Sequence, residues 1–236
     1  MKTLVVVLSL TVCCTLLANA QLTPSVVTAT NELADGRVAL TVRNISQMPI
    51  RACLVTDEHV NERGQIIAKG FHYYDSVTDP RTANPILPGQ EKSFTYGGRG
   101  GTPPVVKVVA AIYEDGTSYG DQDGVKLILE RRKYILQVIE EALSILEAAS
   151  RQHAEREQLI ERFKVFGEEH TKTAPDYEHV LYAKGISDTV LGNLTRGQRG
   201  VDVAAIPIEQ IMSHVIAQLR QSCSDINNAK PSVGAK

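Results

Sequence analysis

The densest group of chemistry-bearing residues in this 236-residue chain is Asp121-Gln122-Asp123-Gly124, with Glu130 six residues beyond the glycine. A calcium loop needs oxygen ligands at alternate positions, a turn glycine and a distal carboxylate, and here Asp121, Asp123, Gly124 and Glu130 would take its third, fifth, sixth and twelfth positions. Tyr119 then falls on the first position and Lys126 on the eighth, and no clear helix precedes the loop. The same residues also suit a helix N-terminus, where an aspartate accepts from free backbone N–H groups and opposes the positive end of the helix dipole. The capping reading is favoured, with Asp121, Asp123 and Glu130 kept as calcium candidates.

The six histidines are His59, His72, His153, His170, His179 and His214, and no two lie three or four residues apart. That spacing does not suggest zinc, which usually takes two of its ligands from one helical turn or tight turn. Glu168-Glu169-His170 with His179 is the nearest approach to a ligand or acid–base cluster. The chain has no G-x-S-x-G, no Walker loop and no G-x-G-x-x-G. Gly97-Gly98-Arg99-Gly100-Gly101 precedes a strand instead of a helix, so it reads as a loop and not as an anion cradle. Adjacent acids such as Glu140-Glu141 diverge by about 100° on a helix and do not form a catalytic pair. No catalytic residue and no cofactor is expected. Asn44-Ile45-Ser46 and Asn193-Leu194-Thr195 are glycosylation sequons, meaningful only in a host with that machinery.

The elements that would position these residues follow from composition and pattern. Aromatic residues make up 5% of the chain and Trp is absent, which disfavours stacking on sugars or bases. A formal charge of -2 provides no field to gather nucleic acid or anionic lipid. Lys2, the apolar run Leu4 to Leu17 and Ala18-Asn19-Ala20 have the order of a cleaved signal peptide over residues 1–20. Export to a periplasm or medium is the expectation. Val12 ahead of Cys13 disfavours lipidation at Cys13 or Cys14, and no later stretch is long and apolar enough to span a membrane. Past the signal, Cys53 and Cys223 remain. They form either one disulfide, worth about 4 to 5 kcal/mol across a loop of about 170 residues in the chain-entropy model, or two separate buried thiols.

From Ser25 to Tyr113 the pattern is that of short strands. SVVTAT and Val38 to Asn44 flank the turn dipeptide Asp35-Gly36, and Ile50 to Val60 leads through Asn61-Glu62-Arg63-Gly64 into QIIAKGFHYY. A proline-rich connection over Ser76 to Gln90 precedes EKSFTY, and PVVKVVAAIYED then runs into GTSYGDQDG, which reads as a loop. VRNISQMPI, the turn at ERG, ILPGQEKSF and VVKVVAAIYEDGTSYGD together resemble, over residues 30–121, the immunoglobulin-like β-sandwich modules of exported bacterial proteins, including those with a Phe-x-Leu-Tyr-Asp motif. The resemblance implies a fold and an extracytoplasmic setting, not an activity.

After Asp123-Gly124 the apolar period lengthens. Ile128, Ile135, Ile139, Ala142 and Leu146 form a helical stripe, and Leu159, Ile160, Phe163 and Phe166 continue it in the same or a second helix that stops near Gly167. A helix over Asp176 to Leu194, weakened by Gly185 and Gly192, follows. A last one starts at Pro207 and carries Ile208, Ile211, Met212, Val215, Ile216 and Leu219 to about Cys223. The expected class is α+β: signal peptide 1–20, an antiparallel immunoglobulin-like sandwich over 21–120, three to four helices over 121–225 and a disordered tail over 226–236. The expected function is a non-enzymatic binding or scaffolding module of the cell envelope with a protein partner. Its rivals are a hydrolase that uses His170 or His179 between the two halves and a calcium-dependent module.

Overall fold

Alternating β-branched residues dictate the first half of the chain, where every second side chain must leave water. The computed structural model describes residues 26–78, 84–97, 102–174, 177–195 and 205–229. The expected signal peptide at 1–20, the glycines at 98–101, the basic loop at 196–200 and the tail from 230 lie outside the described residues. Strands β1 (Val26–Glu32), β2 (Val38–Asn44) and β5 (Glu91–Tyr96) form one antiparallel sheet in the order β1-β2-β5. Strands β3 (Ile50–Val60), β4 (Ile66–Asp75), β6 (Val105–Tyr113) and β7 (Ser118–Gly120) form a second, also antiparallel, in the order β4-β3-β6-β7. Val38, Leu40 and Val42 of the first sheet share one core with Cys53, Val55, Tyr74, Val106 and Ala111 of the second.

Strand β7 corrects the reading of GTSYGDQDG as a loop. Asp115 Oδ1 accepts from the Thr117 N–H at 3.0 Å and from its hydroxyl at 2.7 Å, which closes a tight turn and returns Ser118 to Gly120 onto β6. Those bonds hold the Asp115 carboxyl below its ordinary range. Asn44, one of the two sequon asparagines, is fully buried. Its amide donates to the carbonyls of Met48 and Ile86, each at 2.8 Å, while its Oδ1 accepts from the Ser46 N–H and hydroxyl. A side chain committed to four bonds inside the fold secures the β2–β3 connection and is closed to modification in the native state.

The second half consists of α1 (Gln122–Arg151), α2 (Arg156–Thr173), α3 (Tyr177–Thr195) and α4 (Ile208–Asn228). Helix α1 organises the molecule because its apolar stripe serves two cores. Val125 and Ile128 pack on Ala52, Leu54, Ala110 and Ile112 of the second sheet, whereas Ile135, Ile139, Ala142 and Leu146 join the other helices. Strand β3 is therefore buried on both faces, by the facing sheet and by α1. Two buried arginines reinforce this seam. Arg132 meets Asp75 through Nε at 2.8 Å and Nη2 at 3.0 Å and donates from Nη1 to the carbonyl of Ala229, and Arg131 donates to Thr78 Oγ1 at 2.8 Å. No helix among the described residues is long and apolar enough to cross a membrane.

Two expected boundaries move. Helix α2 does not stop near Gly167 but continues to Thr173. A Cβ on Gly167 would sit 2.8 Å from Ser187 Oγ, so glycine here permits close packing of α2 on α3 and does not mark an end. Helix α4 runs past the expected start of the tail at 226 because Ile226, 4% exposed, extends its apolar stripe into the helical core.

Candidate functional site

The Asp121 group is a helix cap. Asp121 Oδ1 accepts from the Asp123 N–H at 3.2 Å, Asp123 lies in the first turn of α1, and the helix is continuous through Glu130. A calcium loop would need Asp121 to Glu130 to curl around an ion, which an α-helix over Gln122–Arg151 forbids. Glu130 instead pairs with Lys126 one turn away at 3.7 Å. Among the described residues no group of three or more His, Cys, Asp or Glu could hold a metal ion. The pairing of Cys53 with Cys223 is also not made. Cys53 is fully buried between the two sheets and Cys223 packs against the helical core, so both are free thiols in separate cores.

His170 and His179 do come together, but inside the helical half and not between the halves. His170 Nε2 lies 3.1 Å from Glu141 Oε2, and His170 Nδ1 lies 3.3 Å from the Tyr134 hydroxyl. The Tyr134 ring stands edge-on to His179 at 4.5 Å, and Phe166 to His170 at 4.6 Å. Glu141 and Tyr134, seven residues apart on α1, are the partners that sequence spacing could have supplied. Glu168 and Glu169 were the carboxylates expected instead. The carboxylate that His170 meets is that of Glu141 on α1.

A second polar cluster, not anticipated from sequence, lies between the sheets. Asp57 is 9% exposed, with Oδ2 3.4 Å from His59 Nε2 and Oδ1 3.1 Å from His72 Nε2, the latter out of line for a hydrogen bond. Gly70 is the cross-strand partner of Asp57, and a Cβ there would meet Asp57 Oδ1 at 2.0 Å. Only glycine leaves that carboxylate its place. His72 stands edge-on to Tyr96 at 4.8 Å, and burial, with smaller contributions from Cys53 and Asp57, pushes the Tyr96 hydroxyl upward. The alternation of Asp57 with His59 and the position of Gly70 in a strand are the signals that could have located it.

His72 and Gly70 place this cluster on the face of β4 that looks toward the first sheet, and the outer edge of β4 is open. Strand β4 pairs with β3 and, among the described residues, with no strand on its outer edge. Along its ten residues Ile66 is 56% exposed, Ile67 64% and Phe71 42%, and Val105 of β6 is 52% exposed. Phe71 pairs across to Thr56 and Thr56 to Lys107, while Lys69 pairs to Glu58 and Glu58 to Val105, so these residues form two rows on one face. Glu58 Oε1 receives Lys69 at 3.0 Å and Lys107 at 3.2 Å, and the two lysines hold its carboxyl below the usual range. Helix α1 covers the neighbouring rows of that face, where Arg131 lies 5.1 Å over the Tyr73 ring, while in these two rows Lys69, Phe71, Val105 and Lys107 stay exposed around a buried Thr56. A long, apolar, unpaired edge is a template for strand addition unless something blunts it. Compared with known proteins, the chain matches no family model, no curated sequence and no solved structure.

Proposed function

We propose that this is a non-enzymatic exported binding module, in which an immunoglobulin-like sandwich braced by helices takes up an extended partner segment along β4. The observation that carries the reading is the ten-residue outer edge of β4, with Ile66, Ile67 and Phe71 exposed and its other edge paired along β3. Facing antiparallel sheets of three and four strands, with the chain changing sheets after β2, after β4 and after β5, support the immunoglobulin-like reading. The helical stripes need no partner, since they bury against one another and against the sheet. Lys69 and Lys107 outnumber Glu58 on the open rows, so the segment is apolar with an acidic residue.

A photo-crosslinking amino acid at position 71, compared with one at exposed Gln137 of α1, tests this in the protein's own host. A discrete adduct with another protein at 71, absent at 137 and lost on Ile67→Lys, supports it. No adduct at 71, equal adducts at both positions, or a 71–71 adduct between two copies would overturn it.

A further inference from the structure

Helices α1 and α2 do not close on each other. Gly167 lets α2 settle on α3, and α2 packs chiefly there, leaving between α1 and α2 an open groove of about 490 Å³. Its floor is apolar, made by Ile145, Val165 and Phe166, of which Val165 is 45% exposed. Its rim carries the carboxylates of Glu141, Glu161 and Glu169 and, among the described residues, one lining cation, Arg162, with Lys164 pairing Glu161 at 3.4 Å. Glu141, its side chain 53% exposed, has one partner at the groove's edge. His170 holds its Oε2 at 3.1 Å and is itself backed by Tyr134 and Phe166. A volume of this size, with an apolar floor and set between helices, falls within the range of small-molecule sites.

We infer that this groove binds a small amphiphilic organic cation, its apolar body on Val165 and Phe166 and its ammonium at the end where Glu141 and Glu169 stand. The chemistry follows from complementarity. Apolar floor excludes a fully hydrated ion, the carboxylate excess rejects an anion of the same shape, and a weakly hydrated alkylammonium loses little on leaving water. The inference is independent of the β4 edge, which lies in the other half of the chain.

The probe is benzyltrimethylammonium, titrated calorimetrically into the full chain with phenylacetate as the anionic control. One-to-one saturable binding near 1 mM, with phenylacetate at least about tenfold weaker, is expected for a ligand of this size. Glu141→Gln with Glu169→Gln should weaken binding about tenfold, and Val165→Trp, at an exposed position, should abolish it by filling the floor. Each variant is first checked for an unchanged circular dichroism spectrum and melting temperature. No saturation by about 20 mM, equal affinity for phenylacetate, or wild-type binding by Val165→Trp would overturn the assignment.

Discussion

Replacing Arg132 by Met is the sharpest perturbation of the seam between sheet and helices. Its side chain is 5% exposed and that of Asp75 is 2% exposed, and the two meet through two charge-assisted bonds of 2.8 and 3.0 Å. Withdrawing one partner from a buried pair costs about 3 to 5 kcal/mol, since a buried carboxylate loses its counter-charge. The lost bond to the Ala229 carbonyl adds about 1 kcal/mol. With a urea slope of about 2 kcal/mol per molar, the unfolding midpoint should fall by about 2 to 3 M. Asp75→Asn in the same background should cost less than the sum of the single changes, because the stranded charge is gone. The assay is urea unfolding of the four members of the cycle, with amide exchange of the last turn of α4 as a local readout. A single-mutant loss under about 1 kcal/mol, or strict additivity in the cycle, would refute the claim that this pair joins the two halves.

Two further outcomes follow from close packing and burial. Gly167→Ala should destabilise by about 1 to 2 kcal/mol despite the better helix propensity of alanine, because its Cβ would crowd Ser187 at 2.8 Å. Gly185→Ala in α3, with nothing within 4 Å of the added carbon, should stabilise by about 0.5 to 1 kcal/mol in the same thermal or urea assay. Burial, with a smaller contribution from Asp75, pushes the Cys53 thiol from 9.0 up to about 12, and burial likewise raises the Tyr74 hydroxyl from 10.0 to about 12. Both folded values lie above the unfolded ones, so their contribution is complete below pH 9 and is lost as pH rises through about 12. Urea midpoints should therefore fall across that window, and peptide mapping after native iodoacetamide treatment at pH 8 should find Cys53 unmodified. Alkylation of native Cys53 at the unfolded rate would contradict its burial.

Truncation after Gly120 would not release an independent β half. The chain order of strands then helices suggests separable units, yet Ala52, Leu54, Ala110 and Ile112 are covered by Val125 and Ile128 of α1. Removing the helices would expose that face of the second sheet, and the truncated chain should aggregate.

What the sequence determined alone is the local order of the chain. Alternation placed β2 and β3, the Asp35-Gly36 turn joined β1 to β2 and the Asn61 to Gly64 turn joined β3 to β4, and the 3.6-residue stripe of Ile128, Ile135, Ile139 and Leu146 marked α1, since these depend on neighbours within a few residues. Pro207 marked the start of α4 for the same reason. The tertiary structure decided everything that depends on what lies opposite. Gly167 reads as a helix end until Ser187 is placed against it, and nothing near Gly70 in the chain shows that Asp57 fills the space beside it. Asp121 and Glu130 look like two ligands of one loop until the helix between them separates them. His170 gains Glu141 and Tyr134 from another helix, and Cys53 is parted from Cys223 by two distinct cores. Periodicity records which side of an element leaves water, whereas the identity of the group it meets is set by packing between residues far apart in the chain.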